Sequence, residues 1–293
     1  NMGLSSKILL AVFVIPVLAS LLLNIIYQKP PSDHGKGTMF DTIATRYDFI
    51  NRVLALNLDI GWRKVMISEV TSHGKIFEGK ESVNILDLAT GTADVAILMA
   101  KEYKNNNSPS KKEMKILGVD PSQNMINVGR EKISKEKLNE EIKLELGDAR
   151  NLDSLASDQF NAATMSFGIR NVPEKELALC EIHRVLKKND NSRLAILEFS
   201  EPGEEAGIMG AAARFFIRYA VPVIGAIISG APRDYMHLQN SIKDFPSPLE
   251  FASIMEGLTC TSANGQIGTF KVEKIVQMNF GSVQLYLAAP SYR

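Results

Sequence analysis

Cysteine is nearly absent: 293 residues carry two, Cys180 and Cys260. They lie far apart with no metal-ligand spacing around them, which argues against a disulfide scaffold and against a zinc site. Cys180 falls on an apolar helical stripe and reads as a small core residue. Histidine is scarce too. His34, His73, His183 and His237 are scattered, and each reads as a surface or structural residue. An excess of charge of either sign is also missing, since 33 basic residues balance 33 acidic ones. The totals therefore offer no basic face for a nucleic-acid partner. What the chain does have is 45% hydrophobic residues, enough for a full core in one large domain with an appendage.

The longest uncharged stretch is ILLAVFVIPVLASLLLNIIY, residues 8–27. As a helix, its 20 residues would reach about 30 Å, the thickness of a bilayer core. Pro16 is a candidate kink, which membrane helices tolerate. A cleaved signal peptide has a shorter apolar region and a small-residue cut site, whereas here Gln28-Lys29-Pro30-Pro31-Ser32 follows as a stiff polar linker. The expected organisation is an N-terminal membrane anchor over 1–30, a linker over 31–38 and one domain over 39–293.

From Met39 onward, strand-like and helix-like segments alternate, which predicts an α/β sheet with crossover helices. The strand candidates are 83–88, 115–119, 142–146, 160–166 and 193–199. Helix candidates include 94–103, 122–135 and 174–187; in the last, Leu177, Cys180, Ile182, Val185 and Leu186 lie close to a 3.6-residue stripe. Residues 105–112 form a polar insertion expected to be a loop. Near the C-terminus, 272–278 and 282–289 flank Asn279-Phe280-Gly281 as a hairpin. A further apolar stretch, 215–228, is broken by Arg218, Pro222 and Gly225. Its uncharged part is too short to span a bilayer, so it is expected to face a membrane or to cover a substrate.

The stretch DLATGTADVA, residues 87–96, reads as a strand end, a turn of small residues and a helix start. Bare backbone at Gly91 and the free N–H groups of the next helix favour a polar, nucleotide-like ligand at the carboxyl edge of a parallel sheet. Three acids, Asp87, Asp120 and Asp148, fall at the ends of successive strands. Asp120 is placed to accept two hydrogen bonds from a ribose diol, and Asp148 one from an adenine amino group. Any one of them could simply cap a helix. Three in register behind a small-residue turn favour a ligand.

The segments DLATGTAD, GVDPSQNM, LGDARNL and SFGIRNVPEKELALCEIHRVL resemble the class I S-adenosylmethionine-dependent methyltransferases. Together with MFDTIATRYDFIN, AILEFSEP, RYAVPVIGAIISG and YMHLQNSIKDFP, they resemble the UbiE/COQ5 type, which C-methylates quinol rings in ubiquinone and menaquinone biosynthesis. The resemblance covers nearly everything after the anchor. It implies a Rossmann-like, seven-stranded α/β sheet and S-adenosyl-L-methionine as cofactor. It places the cofactor at Gly91, Thr92, Asp120, Asp148, Ala149 and Ser166, alongside the strand-end Asp87, and the quinol near Tyr47, Arg170 and Asn171. Arginine stabilises a phenolate without deprotonating itself. On this reading Arg170 holds the anion, or else is pinned in a structural ion pair.

This chain departs from the family pattern in four places. Ala93 replaces a second glycine, and Asp59-Ile60-Gly61-Trp62 stands where many relatives read His-Arg before the tryptophan. Lys188-Asn189-Asp190-Asn191 replaces a Pro-Gly-Gly turn, and 259–270 matches poorly. The anchor is also an addition. The reading is a membrane-anchored methyltransferase acting on a polyprenyl benzoquinol or naphthoquinol. No nucleic-acid partner is expected, and other subunits of a quinone-synthesis or respiratory assembly are conceivable partners. An organellar membrane, foremost the mitochondrial inner membrane, is the expected location. The rival is an inactive methyltransferase-like accessory subunit of a membrane complex.

Overall fold

The computed structural model describes residues 14–27, 37–73, 76–77, 82–105, 113–261 and 266–292. The insertion expected over 105–112 falls outside them apart from Asn105, as do His34, residues 8–13 of the apolar run, 28–30 of the expected anchor and 31–36 of the linker.

Five strands run parallel: β1 (Ser82–Leu88), β2 (Glu113–Asp120), β3 (Ile142–Leu146), β4 (Ala162–Ser166) and β5 (Arg193–Phe199). Their sequences read as apolar runs because helices cover both faces of the sheet. Three antiparallel strands complete it: β6 (Cys260–Thr261), β7 (Ile267–Met278) and β8 (Val283–Tyr292). The order is β3-β2-β1-β4-β5-β8-β7-β6. All five parallel candidates and the hairpin are present, the hairpin strands being longer than expected. The sheet has eight strands, not seven. The extra one is the two-residue β6, which adds to the edge strand β7 inside the poorly matching stretch.

Helices α1 (Ile15–Ile26), α2 (Thr38–Leu54), α3 (Leu58–Ser68), α4 (Asp94–Asn105), α5 (Gln123–Lys135) and α6 (Lys175–Val185) precede β5 in the chain. After β5 come α7 (Gly207–Phe215), α8 (Val221–Ser229), α9 (Pro232–Lys243) and α10 (Pro248–Gly257). On one face of the sheet, Ile85, Ile116 and Leu144 pack with Val95, Met99 and Ile126 of α4 and α5. On the other, Leu86, Leu88 and Ile196 pack with Leu179 and Ile182 of α6 and with Phe251 of α10. Strand order reverses between β1 and β4, which opens a crevice at their carboxyl ends.

The cysteine expectation is corrected. Cys180 on α6 and Cys260 on β6 form a disulfide, with Cα atoms 5.1 Å apart. The two residues are separated by 80 positions and meet only because α10 returns the chain to the sheet edge beside α6. Sequence spacing carries no trace of such a meeting.

The described part of the apolar run includes the 12-residue helix α1, with Pro16 as its second residue. Ser20 Oγ donates to the Arg218 carbonyl at 3.0 Å, so α1 packs on the helical segment after β5. That segment is longer than the sequence suggested. Among the described residues, Glu204–Ser229 is the one helix long and apolar enough to cross a membrane, by length and composition alone. It continues through a π-helical turn, Phe216–Ala220, that joins α7 to α8.

Candidate active site

Two adjoining chambers lie over the switch point. The smaller, about 90 Å³, is bordered by Gly91 after β1, Asp120 at the end of β2, Asp148 and Ala149 after β3, and Ser166 at the end of β4. The turn that shapes it holds Ala89, Gly91 and Ala93 at φ of 49°, 54° and 66°. Left-handed backbone suits glycine and strains alanine, so a glycine would sit more easily at Ala93. A Cβ at Gly91 would point into open space at the chamber edge, meeting no atom within 4 Å.

Asp120 accepts from the backbone N–H groups of Gly91 (2.8 Å) and Ser122 (2.9 Å). Burial pushes its carboxyl up to about 6 despite both bonds. A carboxylate has more acceptor sites than these two donors use, so it can take further donors from a ligand. Asp148 is clasped by Arg150, whose Nε and Nη2 donate to its two oxygens. Burial alone would raise the Asp148 carboxyl, but the guanidinium outweighs it and holds the group below its ordinary value. Ser166 Oγ is buried with no protein partner. An orphaned hydroxyl costs free energy unless a ligand satisfies it.

Two of the expected cofactor residues stand elsewhere. Asp87 is fully buried beneath the turn, where it accepts from Thr90 Oγ1 (2.6 Å) and Thr164 Oγ1 (2.7 Å) and borders neither chamber. Burial pushes its carboxyl up to about 6. The reason is its place one residue before the end of β1, where the pleat directs it inward. Thr92 is buried too. Its hydroxyl donates to Asp48 (2.6 Å) and receives a bond from Lys132 (3.0 Å), and so ties α2 to α5. Both residues support the turn rather than touch the chamber. Asp41 completes the latch by accepting from the Asn124 backbone N–H (3.0 Å) and the Ser122 hydroxyl at the start of α5.

The larger chamber, about 290 Å³, is mostly apolar. Its walls include Ile43 and Leu54 of α2, Trp62 of α3, Phe199 and, from the long helix, Met209, Phe216 and Val221. Tyr47, Arg170 and Asn171 all line it, so the fold brings these three to one place. Burial pushes the Tyr47 phenol up, while the Asn51 hydrogen bond and the Arg170 charge pull it down. Arg170 proves to be both ion-paired and exposed to the chamber. It bonds to the buried Glu198, donates to the Phe167 carbonyl (3.1 Å) and to Ser241 Oγ (3.3 Å), and stacks 5.6 Å over the Phe199 ring. Asp59 also lines this chamber, gripped by Arg52 and Arg63.

Sequence reasoning missed Phe40, Phe167, Arg63 and His237. His237, expected to be a surface or structural residue, is 9% exposed and borders both chambers. Its spacing of four from Ser241 was the available signal, because that spacing puts both on one helical face.

The parallel β3-β2-β1-β4-β5 order, the antiparallel hairpin beside β5 and a chamber at the switch point edged by Asp120 and Asp148 define a class I S-adenosylmethionine-dependent methyltransferase. S-adenosylmethionine is the cofactor that this class implies. Two solved structures share the fold. A putative S-adenosylmethionine-dependent methyltransferase from Methanococcus maripaludis has a TM-score of 0.50 at 15% identity, covering 84% of this chain and 91% of its own. A geranyl diphosphate methyltransferase has 0.51 at 9% identity, covering 80% and 85%. More narrowly, the chain belongs to the ubiE/COQ5 methyltransferase family, whose model matches residues 31–273. It is 36% identical to the ubiquinone/menaquinone biosynthesis C-methyltransferase UbiE of Geotalea uraniireducens, over 75% of this chain and 85% of that one. It is 33% identical to the demethylmenaquinone methyltransferase of Bacteroides fragilis, over 89% and 96%.

Proposed function

We propose that this enzyme C-methylates the ring of a polyprenyl benzoquinol or naphthoquinol in quinone biosynthesis. The observation that carries this is the larger chamber: an apolar room adjoining the cofactor chamber, with the guanidinium groups of Arg63 and Arg170 on its wall. Its volume and aromatic lining suit a ring of one or two fused cycles, and the long apolar helix beside it suits a lipid tail. The relatives named for ubiquinone/menaquinone and demethylmenaquinone methylation support the same substrate class.

Gly91, Asp120, Asp148, Ala149 and Ser166 would hold S-adenosylmethionine, which supplies an electrophilic methyl group when bound. Asp87 and Thr92 act behind them by fixing the turn. Arg170, pinned by Glu198 and Ser241, presents a rigid positive charge to the oxygen of the bound ring. That charge favours the quinolate, which pushes electron density onto the carbon that takes the methyl group. Tyr47 and Asn171 orient the ring at the same wall, and the apolar walls exclude water and hold it in line. The substrate is lipid-dissolved, and Ile208 and Ile227 on the outer side of the long helix are 88% and 78% exposed. With α1 packed beside it, that helix forms a membrane-docking face of which the N-terminal run is the anchor.

The test is transfer of a labelled methyl group to short-tailed demethylbenzoquinols and demethylnaphthoquinols. Turnover on one ring class identifies the substrate. No turnover on either, with cofactor bound, would end this reading.

A further inference from the structure

A quinol hydroxyl must release its proton as its ring takes the methyl group, and Arg170 cannot accept one. Methyl transfer occurs where donor and ring meet, so the proton acceptor must border that junction. Among the described residues, five line both chambers: Phe40, Tyr47, Phe167, Asn171 and His237. The two phenylalanines have nothing to titrate, and an amide such as Asn171 does not trade protons near neutral pH. Burial pushes the Tyr47 phenol up, so it stays protonated. His237 remains, and imidazole is the side chain suited to exchange protons between pH 5 and 8.

Position supports the same choice. Helix α9 carries His237 and Ser241 four residues apart on one face, and Ser241 Oγ accepts from Arg170 Nε at 3.3 Å. The imidazole thus stands one helical turn from the contact that anchors the arginine. The other charged and titratable groups around it border one chamber only. Asp120, Asp148 and Arg150 face the cofactor side, while Asp59, Arg63, Arg170, Asp234 and Tyr235 face the ring side. Asp59 is already gripped by two guanidinium groups.

We infer that His237 is the catalytic base that takes the quinol hydroxyl proton, an inference that rests on the quinol reading above. The O–H bond breaks, its proton goes to the unprotonated imidazole nitrogen, and the oxygen's electron pair moves into the ring. The carbon beside that oxygen forms the new C–C bond as the methyl–sulfur bond breaks with its pair left on sulfur. That carbon then loses its hydrogen as a proton to water, which restores the aromatic ring and leaves the oxygen negative. The imidazolium returns its proton to the oxygen. The balance is one proton released for each methyl group transferred.

The test uses the full chain with labelled S-adenosylmethionine and short-tailed demethylquinols, comparing wild type with His237→Gln and His237→Ala across pH. Loss of a general base lowers kcat by about 10²–10⁴-fold, while quinol KM and cofactor affinity stay within about threefold. Wild-type kcat rises with pH through a single ionisation. Both variants lose that ionisation, and added imidazole restores part of the His237→Ala rate. A kcat within about threefold of wild type in either variant, or the same ionisation persisting in both, overturns the assignment. So does loss of cofactor binding together with a lowered melting temperature in both variants, which would mark a structural role. Absence of wild-type turnover sinks the quinol reading and this inference together, whereas wild-type turnover with unaffected variants sinks His237 alone.

Discussion

Arg170 serves two groups at once. Its guanidinium neutralises Glu198, which is fully buried, and it also faces the ring chamber. Lysine would keep the charge but lose the planar fork that reaches Glu198, the Phe167 carbonyl and Ser241 together. Arg170→Lys is therefore expected to raise the barrier to methyl transfer by about 2–4 kcal/mol, measured as kcat at matched folding. It should also cost about 1–3 kcal/mol of stability in urea melts, as Glu198 loses charge-assisted partners. Asp87 gives a second prediction at this scale. Its folded-state pKa, about 6, lies above the ordinary aspartate value of 3.8, so between these pH values the folded protein holds a proton that the unfolded chain has lost. Its contribution is fully present at low pH and is lost as pH rises through that window. Asp87→Asn cannot titrate. The stability of the variant relative to wild type should therefore improve by about 1–3 kcal/mol between pH 4 and pH 6. Denaturant melts across that range check it, and a difference that stays constant with pH would contradict the shift.

The elements that meet at the site are held by different devices. Helix α2 is latched over the cofactor chamber through Asp41 to the start of α5 and through Asp48 to Thr92 and Lys132. At the far edge of the sheet, the disulfide ties α6 to β6. A cross-link over 80 positions constrains the unfolded chain strongly, so its reduction should lower stability by about 2–4 kcal/mol. Cofactor affinity should not change, because β6 lies beyond β5, β8 and β7 from the switch point. Melts with and without reductant, paired with calorimetric titration of S-adenosylmethionine, separate the two effects. The strands were legible because a parallel sheet needs near-continuous apolar runs, and the helices because their apolar stripes repeat every 3.6 residues. The two-residue β6 has neither signal. The long helix was hidden for another reason: Pro222 and Gly225 look like breaks, yet Pro222 falls at the start of α8, directly after a π-helical turn that carries the chain through.

Across the whole molecule, the apolar helix of residues Glu204–Ser229 forms one wall of the ring chamber. Its inner side touches the chamber through Met209, Phe216 and Val221. Its outer side presents Ile208 and Ile227, and α1 lies alongside with Leu18, Leu22 and Ile25 exposed. If this face docks on lipid, Ile208→Glu with Ile227→Glu should release the protein from neutral phospholipid vesicles in a sedimentation assay. The loss should be about 100-fold or more in partitioning, since burying each isoleucine is worth about 1.5–3 kcal/mol and each 1.4 kcal/mol is about tenfold. Turnover on a water-soluble short-tailed quinol should persist. Unchanged vesicle binding would leave the N-terminal run as the anchor by itself.

By itself the sequence determined the α/β alternation, the turn at Gly91 and the family, because apolar periodicity and short motifs are local properties of the chain. It also named Tyr47, Arg170 and Asn171, which the fold does bring to one chamber. Only the tertiary structure decided that Asp87 and Thr92 support the turn from behind, that Cys180 reaches Cys260, and that Arg170 is paired with Glu198. It alone set His237 between the two chambers. Each of these depends on which side of a strand or helix faces a segment tens of residues away, and that is settled by packing in three dimensions rather than by order along the chain.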